Sequence, residues 1–141
     1  MIETVRRTFR VETPLSEAWA RLGQIERWPE WAPHIRAAAL SPAGDLGSTS
    51  TGNLVIRGFG RSTYRVTAWE PGRRWTWVAK MPGFDVTYEH GFKPDGDRAT
   101  ILDWVVYLDG SLAFVVRPLF AAIYGRNVDR AIPRLKAWIV K

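Results

Sequence analysis

The most restrictive feature of the chain is the alternation from Phe84 to Lys93. Phe84, Val86, Tyr88, His90 and Phe92 fall on one side, while Asp85, Thr87, Glu89 and Lys93 fall on the other. A two-residue period with one apolar side defines a strand that buries a single face, so it needs a sheet around it and a core beneath it. Turn signals bracket the segment at Pro71-Gly72, Pro82-Gly83 and Pro94-Asp95-Gly96-Asp97, with an earlier one at Pro42-Ala43-Gly44-Asp45. Their spacing, roughly 8 to 12 residues in the later part, is that of hairpin-connected antiparallel strands. Trp75, Trp77 and Ala79 share the inward side of the preceding strand, and Tyr64, Val66 and Ala68 that of the one before. Trp69 falls on the outward side. From Thr100 to Leu108 the inward set is Leu102, Trp104, Val106 and Leu108.

The two ends follow other rules. Ile2 to Val11 reads as an opening strand, and Thr13-Pro14 as N-cap and first helical position ahead of Leu15, Trp19 and Leu22. Gly23 ends that helix. A second helical turn fits Gln24 to Trp28, before Pro29. From Leu112 to Ile139 the apolar positions keep a helical period through Val115, Val116, Leu119, Ile123, Val128, Ile132 and Leu135. The spacing predicts one long C-terminal helix, with a start or kink near Pro118 and a kink near Pro133. The expected fold is α+β: a seven-stranded curved antiparallel sheet wrapped around that helix, in the order β-α-α-β6-α.

Such an order leaves space inside. Seven strands present a face of about 900 Å², whereas one helix covers roughly 350 Å² and two short pieces about half as much again. An apolar face left bare would aggregate, so the sheet must curl around the helix and enclose a hollow. The inward aromatics Tyr64, Trp75, Trp77, Tyr88, Phe92 and Trp104 either fill that hollow or line it. Lining yields a small-molecule pocket of the usual apolar type, and Leu119 and Ile123 of the helix face it. Trp28 and Trp31, flanking Pro29, close the rim, with Trp31 within reach of the pocket mouth.

Composition removes several function classes. The 141 residues carry 46% hydrophobic and 24% charged positions, the balance of one globular domain over 1–141. Cysteine is absent, which excludes disulfides and thiolate chemistry and fits a cytoplasmic location. His34 and His90 are too far apart in sequence for a local metal motif, so neither metal nor cofactor is expected. The net charge of +6 is scattered rather than striped, so no nucleic-acid partner is expected. No apolar stretch comes after the opening charges, so no signal peptide is expected. The apolar run Leu112 to Tyr124 is too short for a membrane span, although it can touch a membrane transiently. A monomer or weak homodimer is expected.

The residues also carry a resemblance. Pro14-Leu15-Ser16-Glu17-Ala18-Trp19, with Ile25-Glu26-Arg27-Trp28-Pro29-Glu30-Trp31, resembles the opening of the SRPBCC superfamily, the START-like and polyketide cyclase/dehydrase group. Glu70-Pro71-Gly72-Arg73-Arg74-Trp75, His90-Gly91-Phe92-Lys93-Pro94-Asp95-Gly96 and Leu135-Lys136 agree with it. The resemblance implies a helix-grip fold with a hydrophobic cavity between the sheet and the C-terminal helix. Its members include lipid and steroid carriers, polyketide cyclases and hormone receptors.

The candidate chemistry centres on His90, the one ionisable group on an otherwise apolar inward face. Burial should hold it neutral, able both to donate and to accept. Tyr88, about 7 Å away along the same face, can share a water or ligand atom with it. The reading adopted is a module that binds a small hydrophobic or aromatic molecule without transforming it. Two alternatives stand beside it: a cyclase or dehydratase using His90 and Tyr88 or Tyr64, and a basic module for anionic lipid, RNA or protein. His34, beside Pro33, is expected at the surface, and Gly58-Phe59-Gly60 in a plain turn or a mobile lid.

Overall fold

The computed structural model describes residues 1–141. Strand β1 (Ile2–Val11) is followed by helix α1 (Leu15–Leu22), a 3-10 turn (Ile25–Glu30) and β2 (Ile35–Ser41). Then come β3 (Thr51–Ile56), β4 (Gly60–Glu70), β5 (Arg74–Met81), β6 (Phe84–Asp95), β7 (Ala99–Asp109) and helix α2 (Ala113–Trp138). The seven strands form one antiparallel sheet in the order β1-β7-β6-β5-β4-β3-β2. Chain order and sheet order therefore agree except that β1 closes onto β7, which leaves β1 and β2 as the edges. Both α2 and the short helices lie over the concave face.

The alternation of β6 is realised residue by residue. Val86, His90 and Phe92 are buried, and the register sets Tyr88 between Trp77 and Val106, and His90 between Trp75 and Trp104. Side chains that share a face on neighbouring strands thus meet as cross-strand pairs. On the convex side Glu89, Asp103 and Asp85 meet Arg74, Arg6 and Lys80, the outward charges that the alternation requires. Trp69 breaks the parity because the β4–β5 register shifts between Val66 and Ala68. One extra residue in a bulge reverses the facing of the residues beyond it. Trp69 therefore pairs with Trp75 and packs against Trp19, ring centroids 5.2 Å apart. On β3, a Cβ at Gly52 would lie 2.6 Å from the Trp77 ring, so only glycine lets that indole lie across the strand.

Three expectations at the ends need correction. Thr13 does not cap α1; Pro14 occupies the cap position, and the buried Thr13 hydroxyl donates to the Ile139 carbonyl at 3.3 Å. Thr100 Oγ1 in turn donates to the Thr13 carbonyl at 2.8 Å, joining the first helix, the last strand and the end of α2. Pro29 lies inside the 3-10 turn rather than ending it, with the Trp31 and Ala32 amides both donating to the Trp28 carbonyl. Of the start or kink expected near Pro118, the start is excluded, because α2 begins at Ala113, a full turn earlier, and runs through both prolines to Trp138. The Leu112 amide fixes this start by donating to the Gly83 carbonyl of the β5–β6 turn at 2.9 Å.

The core divides in two. A cluster of 23 buried residues joins the short helices, the sheet centre and the second half of α2 through Val128, Ala131, Leu135 and Ile139. A second cluster of five (Val5, Val86, Val106, Leu108 and Ala113) lies under the first half of α2. Arg7 of β1 spans the junction, with Nε donating to Asp129 Oδ1 at 2.7 Å.

Candidate ligand-binding cavity

A cavity of about 290 Å³ lies between the concave sheet face and α2, where the two clusters meet. Its floor is Leu54 and Ile56 of β3, Tyr64 of β4, Trp77 of β5, and Tyr88 and His90 of β6. The roof is one stripe of α2, namely Phe120, Ile123, Tyr124 and Asn127, at the i, i+3, i+4, i+7 spacing of a single helix face. Trp28, His34 and Ile35 form one end. Phe59 of the β3–β4 turn and Pro82 and Phe84 around the β5–β6 turn form the other.

Half of the expected wall residues stand in this wall: Tyr64, Trp77, Tyr88, His90 and Ile123. Four others are core residues beyond it. Trp31 sits between Trp28 and Trp104, with ring centroids 5.6 and 5.9 Å away, Trp104 takes the edge of Phe9 at 4.9 Å, and Phe92 packs on Trp19 at 4.9 Å. Trp75 is covered by the His90 imidazole, stacked at 3.8 Å and 15°, and its remaining edge meets Trp19 and Trp69 in a separate hollow beside α1. Leu119 points to solvent, because each helical residue turns by about 100° and Phe120 takes the inward direction. His34, expected at the surface, lines the cavity, because the Arg57 side chain and amide donate to the Pro33 and His34 carbonyls, both at 2.9 Å. Neither contact is visible in a local pattern. The stripe Phe120, Tyr124 and Asn127 carried the helical spacing that could have found it.

None of the lining residues is Asp, Glu, Lys or Arg. What polarity the cavity has comes from three phenols, two imidazoles, Ser62 and Asn127. The tyrosines form a contiguous row, with Tyr88 5.4 Å from Tyr64 and 5.6 Å from Tyr124 between ring centroids. Burial raises the phenol pKa values of all three, so they remain protonated donors. Burial pushes His90 down to about 3, against a weaker upward pull from the Trp75 backbone, and pushes His34 down to about 4. Both imidazoles are therefore neutral near pH 7. The Nδ1 atoms of both are buried without a hydrogen-bond partner, as is Trp31 Nε1. Buried polar atoms rarely go unpaired, and two of the three belong to rings in the cavity wall.

A sheet gripping one C-terminal helix over an uncharged, aromatic-walled hollow defines a START-like helix-grip protein. The model of the family described as polyketide cyclase / dehydrase and lipid transport matches residues 3–139, and the chain belongs to that family. Among solved structures, a START superfamily protein from Mycobacterium smegmatis superposes with a TM-score of 0.75 at 15% identity, covering 97% of each chain. A protein from Thermobifida fusca has a TM-score of 0.75 at 17% identity, over 96% of this chain and 91% of that one. The di-domain ARO/CYC BexL of the BE-7585A biosynthetic pathway has a TM-score of 0.67 at 15% identity, over 99% of this chain and 45% of that one. No curated protein matches the sequence. No helix is long and apolar enough to cross a membrane.

Proposed function

We propose that the protein binds a small hydrophobic or aromatic molecule in the cavity between the sheet and α2. The observation that carries this reading is the wall itself: uncharged, largely aromatic, and enclosing about 290 Å³. At interior packing density that space takes roughly 200 Å³ of ligand, the scale of two or three fused rings rather than of a two-chain lipid. The unpartnered imidazole nitrogens and the row of phenols favour a neutral ligand bearing hydroxyl or carbonyl groups. The test is a titration with 2-naphthol. At a hundredfold excess over Kd the expected stabilisation is about 2.7 kcal/mol, a rise in Tm of roughly 5–10 °C. No shift with 2-naphthol or larger neutral aromatics, together with an empty protein in native mass spectrometry, would sink the reading.

A second reading, a cyclase or dehydratase with His90 and Tyr88 moving protons, is favoured by the buried, unpartnered His90 Nδ1 beside a phenol on the same strand face. The likeness to an ARO/CYC protein points the same way. Against it stands the depressed basicity of His90, since an efficient general base titrates near the working pH. His90→Gln separates the two. A binding protein keeps most of its affinity for 2-naphthol, whereas an enzyme loses about 100-fold or more in turnover of a polyketide mimic.

A further inference from the structure

Most of the exposed large apolar side chains lie around the start of α2 and the β3–β4 turn, Val140 at the far end of the chain being an exception. Phe114, Val115 and Leu119 are 77%, 73% and 67% exposed on the first turns of α2, with Leu112 just ahead of them. Phe59, 67% exposed, stands on the β3–β4 turn. The patch runs into the cavity mouth, because Phe59 lines the cavity and Phe120, next to Leu119, is in its roof. Leu112 rests on the β5–β6 turn, where a Cβ on Gly83 would meet it at 2.4 Å. Turns β3–β4 and β5–β6 and the start of α2 thus bring apolar tips to one edge.

Charge says what can cover this edge. No acidic residue occurs between Gly110 and Val128. Along the outer face of α2 the order is Val115, Leu119, Ala122, Arg126, Arg130, apolar at the tip and basic farther back. Arg126 and Arg130 have no carboxylate partner, and neither do Arg57 and Arg61 beside Phe59. Leu119 and Arg126 are about 10 Å apart along the helix axis. That spacing suits side chains entering roughly 5–10 Å into a bilayer interface while arginines reach the phosphates. A second copy would set these arginines against their own kind, so charge favours an anionic lipid surface.

We propose that this edge docks reversibly on anionic bilayers, with Phe59, Phe114, Val115 and Leu119 entering the interface and Arg57, Arg61, Arg126 and Arg130 meeting lipid phosphates. Docking stands on the surface alone; that it turns the cavity mouth toward a membrane store of ligand rests on the proposed binding function. The test is co-sedimentation of the full chain with vesicles of phosphatidylcholine alone, or mixed with phosphatidylglycerol, at low and high salt. Binding is expected to the mixed vesicles at low salt, and it should fall at least about tenfold in high salt, in Arg126→Glu/Arg130→Glu and in Phe114→Glu/Leu119→Glu. Both variants should bind 2-naphthol as the parent does, which shows that they are folded. Three results overturn the proposal: no sedimentation with mixed vesicles, equal binding to neutral vesicles regardless of salt, or light scattering that shows a dimer abolished by Phe114→Glu/Leu119→Glu. Loss of 2-naphthol binding by the parent would remove the cavity reading and leave vesicle docking to be judged by itself.

Discussion

Lowering the pH from 7 to 5 is expected to destabilise the protein by about 2 kcal/mol through His90 alone. In the folded state burial keeps this imidazole neutral down to about pH 3, whereas in the unfolded chain it titrates near 6.5. Between those values the unfolded chain holds the extra proton. Stability is therefore complete above 6.5 and falls as the pH drops toward 3. At pH 5 the 1.5 units below 6.5 set the size, so the figure does not depend on how far below 5 the folded group titrates. His34, also held well below 5 at about 4, adds an effect of similar size and the same sign. The carboxylates of Glu30, Glu70 and Asp129, held below their usual range by Arg27, Arg74 and Arg7, add a loss of the same sign that falls mostly below pH 5. For a domain worth 5–15 kcal/mol the loss is large. Urea midpoints at pH 7 and pH 5 measure it, and His90→Leu, which removes an unpartnered buried nitrogen, should cut the pH dependence by about half, His34 supplying the rest. An unchanged slope in that variant would place the acid-sensitive group elsewhere.

The second large effect concerns occupancy. Ile123→Trp puts an indole into the roof of the cavity, opposite Tyr64 and Trp77, and leaves too little room for a two-ring ligand. Affinity for 2-naphthol should drop by about 100-fold, or roughly 2.7 kcal/mol. Stability should hold or rise, because the indole fills space that was empty rather than displacing packed atoms. Calorimetric titration of the variant reads the first quantity and denaturant unfolding the second. A variant that binds 2-naphthol as the parent does would move the ligand site out of this cavity.

How far these features can be read in advance depends on whether they are local. The facing of Tyr88 and His90 follows from alternation along ten residues, and the burial of a neutral imidazole follows from that facing. Trp69 shows the limit: its side is set by a bulge, and a bulge is a property of two strands in register. His34 is drawn into the wall by contacts from Arg57, 23 positions later, which no window of sequence contains. The tryptophans divide for a volumetric reason. Each inward indole packs on other rings, and only some of them also have a side left over for the hollow. Trp31 packs on Trp104 and Trp75 on His90, while Trp77, packed on Trp75 and Tyr64, also lines the open space. On α2 the helical period was plain, but the choice between Leu119 and Phe120 as the inward residue turns on a phase of one position.

The unequal division of the core gives α2 two kinds of anchorage. Its second half belongs to the cluster of 23 buried residues and is held by the Thr13 and Thr100 links, while its first half belongs to the cluster of five and is held by a carbonyl of the β5–β6 turn. Opening free energy in a folded protein tracks such local burial, so the opening segment of the helix is the weaker foldon. Opening there would carry Phe120, Ile123 and Tyr124 together away from Tyr64 and Tyr88 on the sheet, with the tryptophan cluster left in place. The molecule is thus built as a clasp with a firmly held end and a loosely held one, and the loosely held end is the one that roofs the cavity.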